Sequence, residues 1–216
     1  MKKKFKEDRL PVYELVIDDD EDTGIRLVSL VQDPAIEMKG MFFSSVKEKD
    51  FQFKAIKDQQ MVVGPALIPN KKIIREDENG DPYYVVFTPE NIRKMVKKFR
   101  ASGTNRKINF NHTNQMVDGY IEHDWIVEDS VYDKSRHYGF ELPVSSYFME
   151  VKIDDKDFFD KYVKEDGFFG FSIEGRLGEK LIKMSSDFIE KTIDDYIDSL
   201  DENDLMDMIK DLKNNL

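Results

Sequence analysis

Gly167-Phe168-Phe169-Gly170-Phe171-Ser172-Ile173-Glu174-Gly175-Arg176 reads as a β-strand with two unlike faces. Side chains alternate across a strand, so Phe171 and Ile173 point into a core while Ser172 and Glu174 share the opposite face. The glycines at 167, 170 and 175 mark places where backbone can approach a ligand or another strand closely. The segment is not the Gly-x-Ser-x-Gly elbow of an α/β-hydrolase, because position 174 is Glu and the following residues read as extended, not helical. A serine fixed on such a strand has two readings: a polar residue at a strand edge among aromatics, or a nucleophile awaiting a base.

Working outward, further strand-like runs cover Val12 to Ile17, Ile25 to Val31, Phe51 to Ile56, Met61 to Ile68, Lys107 to Phe110, Met116 to Val127, His137 to Leu142 and Tyr147 to Ile153. Gly64-Pro65 inside one of them predicts a bulge or an edge. Ile73-Ile74 and Tyr83 to Phe87 flank Asn79-Gly80, a hairpin signature. One helix is strongly marked, with Thr88 as cap, Pro89 at the first position, Ile92, Met95, Val96 and Phe99 on one face, and Gly103 as terminator. A second is expected over Asp154 to Lys164, with Asp154 as cap and Phe158, Phe159 and Tyr162 facing inward. Many short strands with two embedded helices predict an α+β, mainly antiparallel sheet or barrel rather than alternating strand and helix units.

Cysteine is absent, which excludes disulfides, zinc-thiolate centres, iron-sulfur clusters and thiol nucleophiles. The basic start, Met1-Lys2-Lys3-Lys4-Phe5-Lys6, is followed by Glu7-Asp8-Arg9 where a signal peptide needs an apolar run, and this argues against secretion. No apolar run is long enough to cross a bilayer. The net charge of −11 argues against nucleic acid unless cations are concentrated locally.

They are so concentrated from Arg93 to Lys107, where Arg93, Lys94, Lys97, Lys98, Arg100, Arg106 and Lys107 occur with no acid between them. This is either a solvated face or a dock for an acidic partner, the chain's own acidic tail among the candidates. Residues 184–216 carry ten acids against three lysines, with apolar residues at three- and four-residue steps broken near Asp201. We therefore divide the chain into a body, 1–183, and an acidic amphipathic helical tail, 184–216. The tail is read either as a solvated extension or as a docking or propeptide segment.

Three histidines can be weighed one by one. His112 stands in Asn109-Phe110-Asn111-His112-Thr113-Asn114, at the end of an apolar strand and the start of a polar loop, where a scaffold presents a functional imidazole. His123 lies among charged neighbours in a strand and His137 follows Arg136 in a turn. Their spacings of 11 and 14 residues match no zinc signature, so neither a metal nor another cofactor is expected. A loop histidine taken alone is more often structural than catalytic.

Together, Ile25-Arg26-Leu27-Val28-Ser29-Leu30-Val31-Gln32-Asp33-Pro34-Ala35-Ile36, Val62-Val63-Gly64-Pro65-Ala66-Leu67-Ile68-Pro69, Asn109-Phe110-Asn111-His112, Trp125-Ile126-Val127-Glu128-Asp129 and Gly170-Phe171-Ser172-Ile173-Glu174-Gly175 resemble the XkdF-like prohead serine proteases of tailed bacteriophages. The resemblance spans Ile25 to Arg176. It implies a relative of the herpesvirus assemblins: an antiparallel barrel ringed by helices, acting inside the procapsid in the host cytoplasm on capsid and scaffold proteins, and on itself. It places the nucleophile on Ser172 and the general base on His112. Assemblins use a second histidine after the serine, whereas no histidine follows Ser172 here. A carboxylate can orient the ring instead, with Glu174 the first candidate and Glu122 and Asp124 behind it. Backbone amides near the glycines, with Arg176, are the candidates for an oxyanion hole. Some relatives cut after a glutamate two residues beyond an apolar side chain, a form that Leu177-Gly178-Glu179 and Leu200-Asp201-Glu202 both have.

Overall fold

A computed structural model describes residues 10–17, 23–31, 54–77, 79–165 and 170–183. The strands are β1 (Val12–Val16), β2 (Gly24–Val31), β3 (Lys54–Ile56), β4 (Met61–Leu67), β5 (Ile73–Glu76), β6 (Pro82–Val86), β7 (Ile108–Phe110), β8 (Gly119–Ile126), β9 (Tyr147–Ile153), β10 (Gly170–Arg176) and β11 (Gly178–Lys183). Helix α1 (Pro89–Ser102) lies between β6 and β7. The tail at 184–216 and the strand start at Phe51 lie outside the described residues.

The architecture is α+β and rich in sheet. Among the described residues the strands form three sheets, ordered β11-β1-β6-β5, β10-β2-β7 and β3-β4-β9-β8, so the closed barrel implied by the resemblance is not formed. Most pairs are antiparallel, but β1 with β6 and β2 with β7 are parallel. One core joins the sheets, with Leu15, Val28, Leu30, Val62, Ile92, Phe99, Ile108, Phe159, Phe171 and Ile173 all buried in it. A smaller core of Val63, Val127, Phe140, Leu142 and Phe148 sits elsewhere on the third sheet.

Local chemistry explains most elements. Thr88 accepts the Asn91 N–H and caps α1, and Gly103 ends it at φ 66°, a left-handed conformation that costs glycine little. At the hairpin, Asp77 Oδ1 accepts the N–H groups of Asn79 and Asp81 at 2.8 and 2.9 Å, and Gly80 adopts φ 80°. Pro65 sits beside a register shift in β4. Because β3 pairs only Met61 to Val63, the missing proline N–H breaks no bond with that neighbour.

Two expectations are corrected and one strand is added. His137 to Leu142 is not a strand: Asp133 caps a 3-10 helix over Lys134–Tyr138 by accepting the Ser135 N–H. The second helix begins one residue later than expected, capped by Asp155 through the Phe158 N–H, and after Lys156–Phe158 it continues as a π-helix over Phe159–Glu165. Finally, β11 was not anticipated; it pairs antiparallel with β1, Leu15 opposite Glu179 and Val12 opposite Lys183.

Candidate active site

The middle sheet carries the site. In β10, β2 and β7 the residues Ser172, Ser29 and Asn109 stand opposite one another in register, forming one polar row across three strands. Opposed residues share a face, with Cβ atoms about 5 Å apart. The other face holds Phe171, Ile173, Val28, Leu30, Ile108 and Phe110, all buried in the main core. Ser172, Ser29 and Asn109 are buried as well. The alternation that puts hydrophobic residues on one side therefore delivers serine and asparagine hydroxyl and amide groups to the other.

His112 is brought over this row by a tight turn. Asn111 and His112 both adopt left-handed conformations, φ 49° and 54°. Such residues cost of order 1 kcal/mol each and persist where neighbours over-determine them. Here the Asn111 N–H bonds the Leu30 carbonyl at 2.9 Å, and the Thr113 N–H and hydroxyl both reach the Phe110 carbonyl. The His112 N–H donates to Ser29 Oγ at 3.0 Å. The turn is thus bolted to β2 opposite Ser172.

The ring is oriented by Glu174. His112 Nδ1 lies 2.8 Å from Glu174 Oε1, and Asn109 Nδ2 donates to that same oxygen at 2.8 Å and to the Thr113 carbonyl at 3.0 Å. A carboxylate only accepts, so Nδ1 carries the proton and the lone pair of the neutral ring is on Nε2, which is itself buried. The imidazole is 11% exposed and the carboxylate 30%. Glu174 and Ser172 are two residues apart on one strand, a spacing of about 6.6 Å. His112 is therefore held at Glu174 through its ring and at Ser29 through its backbone, and both anchors are immediate same-face neighbours of Ser172.

Ser172 and Glu174 thus share one polar face of β10, and His112 is hydrogen-bonded to Glu174. Glu122 and Asp124 do not join them: Glu122 is exposed on β8, and Asp124 is engaged by Arg100 Nε at 2.7 Å and the Tyr147 hydroxyl at 2.9 Å. Burial, then the Asp124 charge, pushes the Tyr147 hydroxyl well above its ordinary range. Arg176 is exposed at the end of β10. Sequence reasoning gave no role to Ser29 or Asn109. The available signal was a small polar residue inside an apolar strand, Val28-Ser29-Leu30 and Ile108-Asn109-Phe110.

A second histidine and carboxylate pair lies on the third sheet. Glu150, 2% exposed, receives His123 Nδ1 at 2.8 Å, Lys134 Nζ at 2.6 Å and the Tyr138 hydroxyl at 2.9 Å. Burial alone would raise its pKa, but the hydrogen bonds from Lys134, Tyr138 and His123 outweigh burial and hold it below the ordinary value. Burial, then the bond to Glu150, pushes the Tyr138 hydroxyl up to about 12. Among the described residues no cluster of three or more His, Asp or Glu is arranged to hold a metal ion, and no helix is long and apolar enough to cross a membrane. Compared with protein-family models, curated proteins and solved structures, the chain gives no match.

Proposed function

We propose that the protein is a serine endopeptidase using Ser172 as nucleophile, His112 as general base and Glu174 as the group that orients the base. The observation that carries this reading is the 2.8 Å contact of His112 Nδ1 with Glu174 Oε1 on the face and strand of Ser172. That contact leaves the Nε2 lone pair to take a proton.

In the reaction Ser172 Oγ attacks a peptide carbonyl carbon while His112 Nε2 takes the hydroxyl proton. Glu174 stabilises the imidazolium that forms. Collapse of the tetrahedral intermediate breaks the C–N bond, and the imidazolium returns the proton to the leaving amine. Water then attacks the acyl-enzyme with the same base, releasing the acid and restoring the serine.

The assemblin-like ancestry and the place in phage head maturation rest on the motif resemblance. In this reading the enzyme cuts scaffold and capsid-protein segments inside the procapsid. Self-cleavage after Glu179 is disfavoured in the folded body, because Glu179 is paired with Leu15 and its carboxylate accepts the Tyr83 hydroxyl at 3.2 Å. Cutting there requires β11 to leave its sheet. Glu202 lies outside the described residues.

The complete burial of Ser172, 0% exposed, favours a second reading: a head-assembly component that keeps the fold without cutting. One experiment separates the two. Purified wild type treated with a fluorophosphonate probe is expected to gain one adduct, mapped to Ser172, and co-expression with neighbouring capsid and scaffold proteins is expected to yield fragments lost in Ser172→Ala. An unlabelled wild type that leaves its partners intact overturns the endopeptidase reading and leaves the assembly role.

A further inference from the structure

The charge of this chain is arranged in two opposed blocks. Residues 93–107 contain seven cations and no acid, a charge of plus 7, and residues 184–216 contain ten acids and three lysines, minus 7. The two blocks cancel, so the remainder of the chain carries the whole net charge of −11. An acidic segment is therefore repelled by the remainder taken as a whole and attracted by the chain's cation clusters, the lysines at 2–6 and, with the larger charge and no acid within it, the block at 93–107.

That block is a formed surface. Helix α1 buries Asn91, Ile92, Met95, Val96 and Phe99 and turns Arg93, Lys94 and Lys97 outward. Arg106 and Lys107 continue the exposed cationic run, while Arg100 is paired with Asp124. Glu90 is the helix's single acid, at its first turn and 2.8 Å from Lys94 Nζ. Arg93 and Lys97 are four residues apart and so lie on one face.

The acidic segment also starts nearby. It follows Lys183, which stands opposite Val12 in β1, and Val12 in turn stands opposite Tyr84 in β6. Two strand spacings, about 10 Å, thus separate β11 from β6. From β6 the chain passes directly into α1, whose start is tied to β1 by the Thr88 hydroxyl and Asn91 amide, both donating to Glu14 Oε1 at 2.6 Å. Even wound as helix, the segment would be about 50 Å long, against about 21 Å for α1. Tethering at this range gives an effective concentration of order millimolar.

We propose that the acidic segment 184–216 docks on the basic outer face of α1, with Arg93 and Lys97 at its centre. Docking of this kind is independent of whether Ser172 reacts. It is electrostatic, so it weakens as salt shortens the screening length from roughly 20 Å at low ionic strength toward about 4 Å.

The test uses the full chain. Zero-length carbodiimide cross-linking at about 20 mM sodium chloride, mapped by peptide mass spectrometry, is expected to join Lys94, Lys97, Lys98 or Lys107 to acids between Asp187 and Asp211, and the yield is expected to fall severalfold at about 500 mM. In an equal mixture of ordinary and nitrogen-15-labelled protein the links should stay within one copy. Arg93→Glu combined with Lys97→Glu, two exposed positions, should lose these links while keeping the wild-type melting temperature. Absence of the links at low salt, their persistence in the charge-reversed variant, or links only between copies would each overturn the proposal, the last in favour of a second copy as occupant. Duplex DNA that expels the segment at low salt and fails to bind the reversed variant would reassign the face to nucleic acid.

Discussion

His112 meets Glu174 and His123 meets Glu150 at the same distance, 2.8 Å from Nδ1 to a carboxylate oxygen, but burial is inverted between the two pairs. In the first, the ring is 11% exposed and the carboxylate 30%. In the second, the ring is 59% exposed and the carboxylate 2%. The partners differ accordingly. Glu150 is saturated by Lys134, Tyr138 and His123, so its charge is spent on holding the 3-10 segment against the sheet. Glu174 receives Asn109 and the ring, on the strand and face that also carry Ser172. The lesson is that a histidine and carboxylate contact has no fixed meaning. On the proposed reading a buried ring oriented by a partly exposed carboxylate serves to move a proton, while a buried carboxylate paired with a lysine serves to stay charged.

The contrast is sharpest in reactivity. Removing Ser172 or His112 by alanine is expected to reduce fluorophosphonate labelling and fragment formation by about a thousandfold or more, because the two act as one unit. Glu174→Gln, which keeps shape but favours the wrong tautomer, is expected to slow labelling by about a hundredfold or more. Neither rate should change by more than a few-fold in Glu150→Ala. Equal loss in Glu150→Ala and Glu174→Gln, at matched folding, would break the distinction between the pairs.

Stability should run the other way. Glu150→Ala removes three hydrogen-bonded contacts to a buried carboxylate and is expected to cost about 2 kcal/mol in urea unfolding. The pH dependence follows from the sign of the shift. A carboxyl whose folded pKa is depressed contributes stability that is present above its unfolded value, about 4.3, and is lost as pH falls through the lower folded value. The wild type should therefore lose its advantage over Glu150→Gln below about pH 4, seen as converging melting temperatures. The smallest effect belongs to His123→Ala, where an exposed ring leaves Glu150 still paired with Lys134 and Tyr138: within about 1 kcal/mol by the same measurement.

Much of the scaffold could be read before any coordinates. The alternation through Phe171, Ser172, Ile173 and Glu174 placed two residues in the core and two on a common polar face, and α1 followed from its cap, its apolar stripe and Gly103. Glu174 could be singled out as the ring's partner because it shares that face. Long-range pairings were not legible. β11 has one adjacent apolar pair, Leu181-Ile182, both exposed, and it is a strand because β1 offers it an edge. The Glu150 cluster was hidden because its partners come from 27, 16 and 12 residues away, and a glutamate in a strand that is apolar but for Lys152 carries no mark of them. Parallel pairing of β2 with β7, which puts Asn109 beside Ser29, depends on a crossover through strands of both other sheets and α1 that no local pattern encodes.

The antiparallel match of β11 with β1 places Val12 beside Lys183, so the body's entry and exit points share one doorway. A cargo fused ahead of residue 10 and one fused beyond residue 183 would be delivered to the same spot on the surface. The body is thereby suited to being spliced whole into a loop of another protein, at a cost of only a few linking residues.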